Sequence, residues 1–205
     1  MKIGILGDIH RDWDSVKRHM KNVPEIDYWL CVGDLTTYDM TLEKTLYFVE
    51  GNHEDLDILR AMDEGVISTK SLRRIKPGEL MVLGDYTVAG MGGNYSPKHF
   101  EDKKRVGRWF TKNDVKTMLN MKAQRTAPVD ILLTHEPPAI AHELGIRQLD
   151  CLHQIIKPNG IWIYGHHHEY KKEKIKGITF IGMPRPSERI FWLKFRRNNE
   201  KNRTF

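Results

Sequence analysis

Eight side chains of metal-holding type recur in one setting in this sequence: Asp8, His10, Asp34, Asn52, His53, His135, His166 and His168. They offer hard oxygen and imidazole donors with no thiolate, a set suited to Mn, Fe, Zn or Ni more than to Ca. A single catalytic ion takes three or four protein ligands, so seven or eight candidates with two carboxylates point economically to two ions. One carboxylate shared between ions about 3.5–4 Å apart would let the pair acidify a water and polarise a phosphoryl oxygen. Asp34 is the expected bridge. In extended backbone, residues two apart project to the same side, so Asp8 with His10, and His166 with His168, can each act as a fork, with His167 pointing elsewhere. Singly, each of these residues is a common cap for a strand end or turn. Their joint pattern favours a metal site.

The elements that must position them are legible as five short β-prone runs, each ending in a cluster of Gly, Asp, Asn or His. Residues 2–6 precede Gly7-Asp8-Ile9-His10, 28–32 precede Gly33-Asp34, 46–49 precede Gly51-Asn52-His53-Glu54, 129–133 precede Thr134-His135-Glu136-Pro137-Pro138, and 161–164 precede Gly165-His166-His167-His168. Near-continuous apolar runs suit strands buried on both faces. In open α/β sheets, ligands gather beyond the carboxyl ends of strands, where all five clusters would lie. Helical spacing appears at 13–20 after Asp12, at Leu56, Leu59 and Met62 after Asp55, at Val115, Met118 and Leu119 after Asn113, and at Leu149, Leu152, Ile155 and Ile156, the last ending by Lys157 ahead of Pro158-Asn159-Gly160. Residues 80–93 predict a hairpin turning at Gly84-Asp85, and 178–181 with 190–195 a closing antiparallel pair.

With 205 residues, 40% hydrophobic and 29% charged, the chain is expected to form one globular domain over 1–195 followed by a basic polar tail, 196–205. Apolar stretches are too short to span a membrane, no signal peptide is expected, and Cys31 and Cys151 read as reduced core residues of a cytoplasmic protein. The net charge is +6. It is uneven: residues 98–125 hold nine basic and three acidic side chains. This stretch is either a nucleic-acid contact or a solvated face.

Gly7-Asp8-Ile9-His10, Gly33-Asp34, Gly51-Asn52-His53-Glu54, a lone His135 and Gly165-His166-His167-His168, in that order, resemble the calcineurin-like metallophosphoesterase family. The resemblance implies a four-layer α/β/β/α sandwich with two mixed β-sheets and a dinuclear metal centre at the strand C-terminal ends. Carried over by position, Asp8, His10, Asp34 and His168 would bind the first metal, and Asp34, Asn52, His135 and His166 the second. Mn is the leading choice, with Fe, Zn or Ni also accommodated. Asp34 and His53 would be the catalytic residues. His53 matches the family's non-ligand histidine, which contacts the substrate and protonates or stabilises the leaving oxygen, and Glu54 would orient a neighbour by hydrogen bond.

The branch that dephosphorylates phosphoserine and phosphothreonine carries phosphate-clamping arginines where this chain has Glu50 and Leu35-Thr36-Thr37-Tyr38, so protein phosphatase activity is disfavoured. The small single-domain phosphodiesterase branch fits the length. Residues 89–95 and Thr134-His135-Glu136-Pro137-Pro138 resemble loops of phosphodiesterases acting on nucleotides or RNA, including the longer lariat debranching enzymes. The expected activity is thus hydrolysis of phosphodiester, and secondarily phosphomonoester, bonds by a hydroxide activated by two metals, with a nucleotide-like or RNA substrate contacted by Asn52, His53, Arg11 and Asn94. The competing readings are a non-catalytic scaffold of the same fold and a nuclease subunit that needs a partner. Arg11 is equally well placed to pair with Asp12 or Asp14, and Arg185 is expected in a surface loop. His19, His99, His142, His153 and His167 are expected on surfaces or helix faces, and Trp109-Phe110 on a helix that buries them.

Overall fold

The computed structural model describes residues 2–124 and 126–194. The expected tail, 196–205, lies outside them, as does Arg125 of the basic stretch. Among the described residues, eleven strands form two mixed sheets. In the first, β1 (Lys2–Leu6), β2 (Tyr28–Cys31), β3 (Leu46–Phe48) and β4 (Leu72–Arg74) run parallel, and β11 (Phe191–Lys194) lies antiparallel outside β1. The second has the order β5 (Leu80–Leu83), β6 (Tyr86–Met91), β7 (Val129–Thr134), β8 (Ile156–Tyr164), β10 (Ile178–Gly182) and β9 (Lys171–Ile175). Its four inner strands are parallel and its two edge strands antiparallel.

Alternation along each strand explains the layering, because successive side chains leave opposite faces. Ile3, Ile5, Leu30, Val32 and Val49 meet Val88, Ile131, Leu133, Ile163 and Ile181 in a core between the sheets. Leu6, Trp29, Cys31, Leu46 and Phe48 point the other way, under α1 (Trp13–Asn22) and α2 (Leu56–Asp63). Ala89, Leu132, Trp162, Tyr164 and Phe180 pack under α3 (Lys112–Ala123) and a 3-10 helix, Arg147–Ile155. The result is the four-layer α/β/β/α sandwich with its metal-donor clusters at the strand C-terminal ends.

Four local expectations are corrected. Residues 178–181 and 190–195 do not pair with each other: β10 joins β8 and the unforeseen β9, whereas β11 crosses to β1 in the other sheet. Apolar alternation marks both strands but says nothing of which sheet each joins. The fourth helix is 3-10 rather than α, and β8 starts at Ile156, taking in Pro158. Thr111, not Asn113, caps α3, in a capping box with Asp114. Trp109 and Phe110 precede that helix; Phe110 is buried and Trp109 stacks on His99.

Candidate metal centre

Each expected donor leaves the C-terminal end of a parallel strand: Asp8 and His10 after β1, Asp34 after β2, Asn52 and His53 after β3, His135 after β7, His166 and His168 after β8. Left-handed backbone turns them inward, with φ of 45° at His10, 51° at Asp34, 71° at His166 and 55° at His168. Non-glycine residues rarely adopt this conformation, and where they do it commonly accompanies a functional constraint. Two glycines make room for the carboxylates. A Cβ on Gly51 would stand 2.0 Å from Asp34 Oδ1, and one on Gly165 2.3 Å from Asp8 Oδ1.

Two clusters of lone pairs result. In the first, His168 Nε2 lies 3.0 Å from both Asp8 Oδ2 and His10 Nε2, and His10 Nε2 lies 3.5 Å from Asp34 Oδ2. In the second, Asn52 Oδ1 is 2.9 Å from His135 Nε2 and 3.1 Å from His166 Nδ1, while His135 Nε2 stands 3.8 Å from Asp34 Oδ2. Asp34 Oδ2 therefore faces both. His135 Nδ1 donates to the Val32 carbonyl at 2.9 Å, which orients the ring and turns Nε2 toward Asn52 Oδ1 and Asp34 Oδ2. Asp8 Oδ1 is buried with no hydrogen-bond partner among the described residues. An orphaned carboxylate oxygen among imidazoles fits cation binding, since a buried acceptor otherwise needs a donor.

Burial would raise the Asp8 carboxyl, but His135, His168 and His10 outweigh it and its pKa falls below the usual value. Burial opposes protonation of His135, yet Asp8 and Asp34 carry its pKa upward. Burial, then His135 and His167, lowers His166 to about 4, so its ring is a neutral donor at neutral pH. Burial raises Glu136, whose carboxylate also groups with His166 and His167.

His53 stands outside both clusters, exposed, its ring edge-on to His10 at 5.4 Å between centroids. Its backbone N–H donates to Asp34 Oδ1 at 2.8 Å. A cleft of about 430 Å³ opens here, lined by His10, Arg11, Thr36, His53, Glu54 and Asp55. A larger one, about 610 Å³ between α2 and β4, holds none of these donors. Asn94 takes no part in these contacts: its backbone pairs with Arg108 and Phe110, and its Oδ1 is buried without a partner among the described residues.

The calcineurin-like phosphoesterase model matches residues 1–170. The chain belongs to the calcineurin-like phosphoesterase family. The family makes the protein a phosphoric ester hydrolase by descent and one whose donors suit divalent metal. Solved structures agree in fold. This phosphoesterase superposes on TT1561 of Thermus thermophilus with TM-score 0.68 at 16% identity, covering 91% of this chain and 90% of that one. It superposes on a putative 5′-nucleotidase from Staphylococcus aureus with TM-score 0.59 at 13% identity, covering 93% and 50%. GAP50, described as the anchor in the inner membrane complex of Plasmodium, gives 0.53 at 12%, covering 91% and 72%. No curated protein matches in sequence. Among the described residues, no helix is long and apolar enough to cross a membrane.

Several contributors carry no periodic signal in the sequence. Glu54 accepts from Leu35 N at 3.0 Å, Thr36 N at 3.1 Å and Gly51 N at 3.3 Å, and from the Tyr38 hydroxyl, tying the β2 and β3 loops together. His142, expected on a surface or a helix face, is buried and stacks on His167 at 4.7 Å. In the basic stretch, Arg105 is spent on Glu50 and Lys112 on Glu101.

Proposed function

We propose that this phosphoesterase hydrolyses phosphodiester bonds of nucleotide-like or RNA substrates, using two divalent cations, manganese first among them. His53 carries the reading: an exposed imidazole beside two complete donor clusters, belonging to neither. Asp8, His10 and His168 would hold one ion, Asn52, His135 and His166 the other, and Asp34 would be shared. When bound, the ions supply a nucleophile at neutral pH and positive charge for the phosphoryl oxygens. The protein's own residues do the rest. Asp34 fixes the His53 backbone, so the imidazole is aimed from the same carboxylate that orders the clusters. From there His53 Nε2 or Nδ1 reaches the leaving oxygen and gives it a proton as the bond to phosphorus breaks. Arg11, in the same cleft, is free to take a non-bridging oxygen.

A non-catalytic scaffold would be expected to have lost donors or His53, and all are present. A turnover panel of phosphomonoesters, cyclic nucleotides, linear RNA and branched RNA with manganese tests the proposal. Hydrolysis of diesters ahead of monoesters is expected; turnover of monoesters alone would reverse the bond assignment, and none at all would favour the scaffold.

A further inference from the structure

The loop between β10 and β11 carries the chain from one sheet to the other across the metal end of the molecule. Its position is fixed. A Cβ on Gly7 would stand 1.8 Å from the Pro184 carbonyl oxygen, so the loop lies directly against the β1 turn that carries Asp8. His19 Nε2 donates to the Pro186 carbonyl at 2.9 Å. Between these two buried prolines, Arg185 is exposed.

Further along the loop, the Arg189 guanidinium lies over the Tyr170 ring at 4.1 Å from its centroid. Tyr170 is two residues beyond His168 and packs on Phe191 at 6.3 Å, and Lys172 Nζ stands 5.2 Å over the other ring. Phe191 pairs with Ile5, and Lys171 with Gly182, so both flanks sit at the metal end of their sheets. Among the described residues, Arg185, Arg189 and Lys172 make no ion pair with a carboxylate. Glu169 turns away to His142, at 3.6 Å. Glu188 is exposed on the loop, so three cations against one anion leave the strip positive.

A planar guanidinium already laid on a tyrosine has lost its freedom to the fold and offers its outer face for stacking. Single-stranded nucleic acid is recognised by this combination of stacking planes and cations that follow the backbone. We propose that Arg185, Arg189 and Tyr170 form a subsite for a nucleotide flanking the bond to be cut, Arg185 taking its phosphate and Arg189 its base. The proposal rests on the phosphodiesterase reading and extends it to a single-stranded oligonucleotide leaving the metal centre over the edge formed by β9 and β11.

The test is binding of fluorescein-labelled phosphorothioate hexauridylate, and of its deoxy counterpart, to the full chain in EDTA, followed by anisotropy. Arg189→Ala is expected to weaken binding about tenfold, the size of one lost stack. Arg185→Ala should reduce the slope of log affinity against log salt by about 0.7, whereas Arg189→Ala, which removes a stack and not a phosphate contact, should leave it nearly unchanged. Arg189→Lys keeps the charge but not the plane and should not restore the affinity. Wild-type affinity in Arg189→Ala, full recovery in Arg189→Lys, or transfer of the loss to Lys103→Ala/Lys104→Ala would each overturn the subsite. Turnover separates this from the parent reading. In manganese, Arg189→Ala should lose about tenfold more kcat/KM on an oligonucleotide than on bis(p-nitrophenyl) phosphate, and equal losses overturn the subsite while leaving a phosphodiesterase. Oligonucleotide binding that Arg189→Ala weakens, with no diester hydrolysed, would sink the parent reading and keep the strip.

Discussion

Glu54→Gln removes one charge and one acceptor from the point where the loops after β2 and β3 are joined. In the wild-type protein Oε1 accepts from Leu35 N and Gly51 N, and Oε2 from Thr36 N and the Tyr38 hydroxyl. Burial, and then the Glu54 charge, raises the Tyr38 pKa, so its hydroxyl stays a donor. A glutamine keeps one oxygen with two donors and turns its NH2 toward the other two. Two hydrogen bonds to a charged group, at about 1.5–3 kcal/mol each, are lost at a half-buried site where water recovers part, giving about 2–4 kcal/mol. Tyr38→Phe removes a single donor and should cost about 1–2 kcal/mol. The same bonds hold Asp34 and Thr36 at φ of 51° and 65°. Loosening them should therefore also lower manganese affinity about 10–100-fold, as expected for partners that orient ligands. Urea unfolding in EDTA reads the first effect and calorimetric titration of manganese the second. Destabilisation below about 0.5 kcal/mol with unchanged metal affinity would refute the reasoning.

Asp34→Asn should abolish turnover and lower metal content below two equivalents per chain by elemental analysis, whereas two full equivalents would remove Asp34 as a shared ligand. His53→Ala should keep its metal and lose about 10²–10⁴-fold on nucleoside esters but far less on nitrophenyl esters, whose leaving group needs no proton; equal losses would assign His53 to phosphate positioning. Asp130 accepts from Thr87 N and Oγ1 and from Lys157 Nζ, all within 2.9 Å of Oδ2. Burial raises its pKa, but these bonds outweigh burial and hold it below the ordinary carboxylate value. Its contribution is thus complete above the ordinary carboxylate value and lost as pH falls through its lowered one, so Asp130→Ala should destabilise by about 2 kcal/mol at pH 7 and much less at the acid end of a pH series of urea titrations. An equal loss at both would show that its charge is irrelevant.

The layers were legible because both faces of each sheet are buried and the strands alternate between two apolar surroundings. Ile131 and Leu133 face the core between sheets, and Leu132 the core under α3, within one run that reads simply as apolar. Such a run announces a buried strand without naming its neighbours. The misjudged pairing of the last two strands came from this. Edge strands hid for the opposite reason: β9 is Lys-Lys-Glu-Lys-Ile, whose lysines protect an exposed edge from pairing and erase the apolar signal. Similarly, β4 has a single buried residue, Leu72.

Donors at the strand ends were legible by type and order, but what holds them was not. Six non-glycine residues around the centre, His10, Arg11, Asp34, Thr36, His166 and His168, have positive φ. Each such conformation costs about 1–2 kcal/mol for an L-residue, and Thr36 is β-branched, the least tolerant kind. Local preference argues against all six, so no propensity scale would select them. Their compensation is long-range: His10 N–H donates to the Asp34 carbonyl at 2.7 Å, and His166 N–H to Asp8 Oδ2 at 2.9 Å. Glu54 binds Thr36 from eighteen residues away. Each strained turn is thus secured by a group from another strand end, so the donors are set by the assembled sandwich and not by their own loops. That dependence also accounts for the subsite over β9 and β11, where Arg185 and Arg189 become neighbours of the centre and of Tyr170 only through the crossing of the chain from β10 to β11.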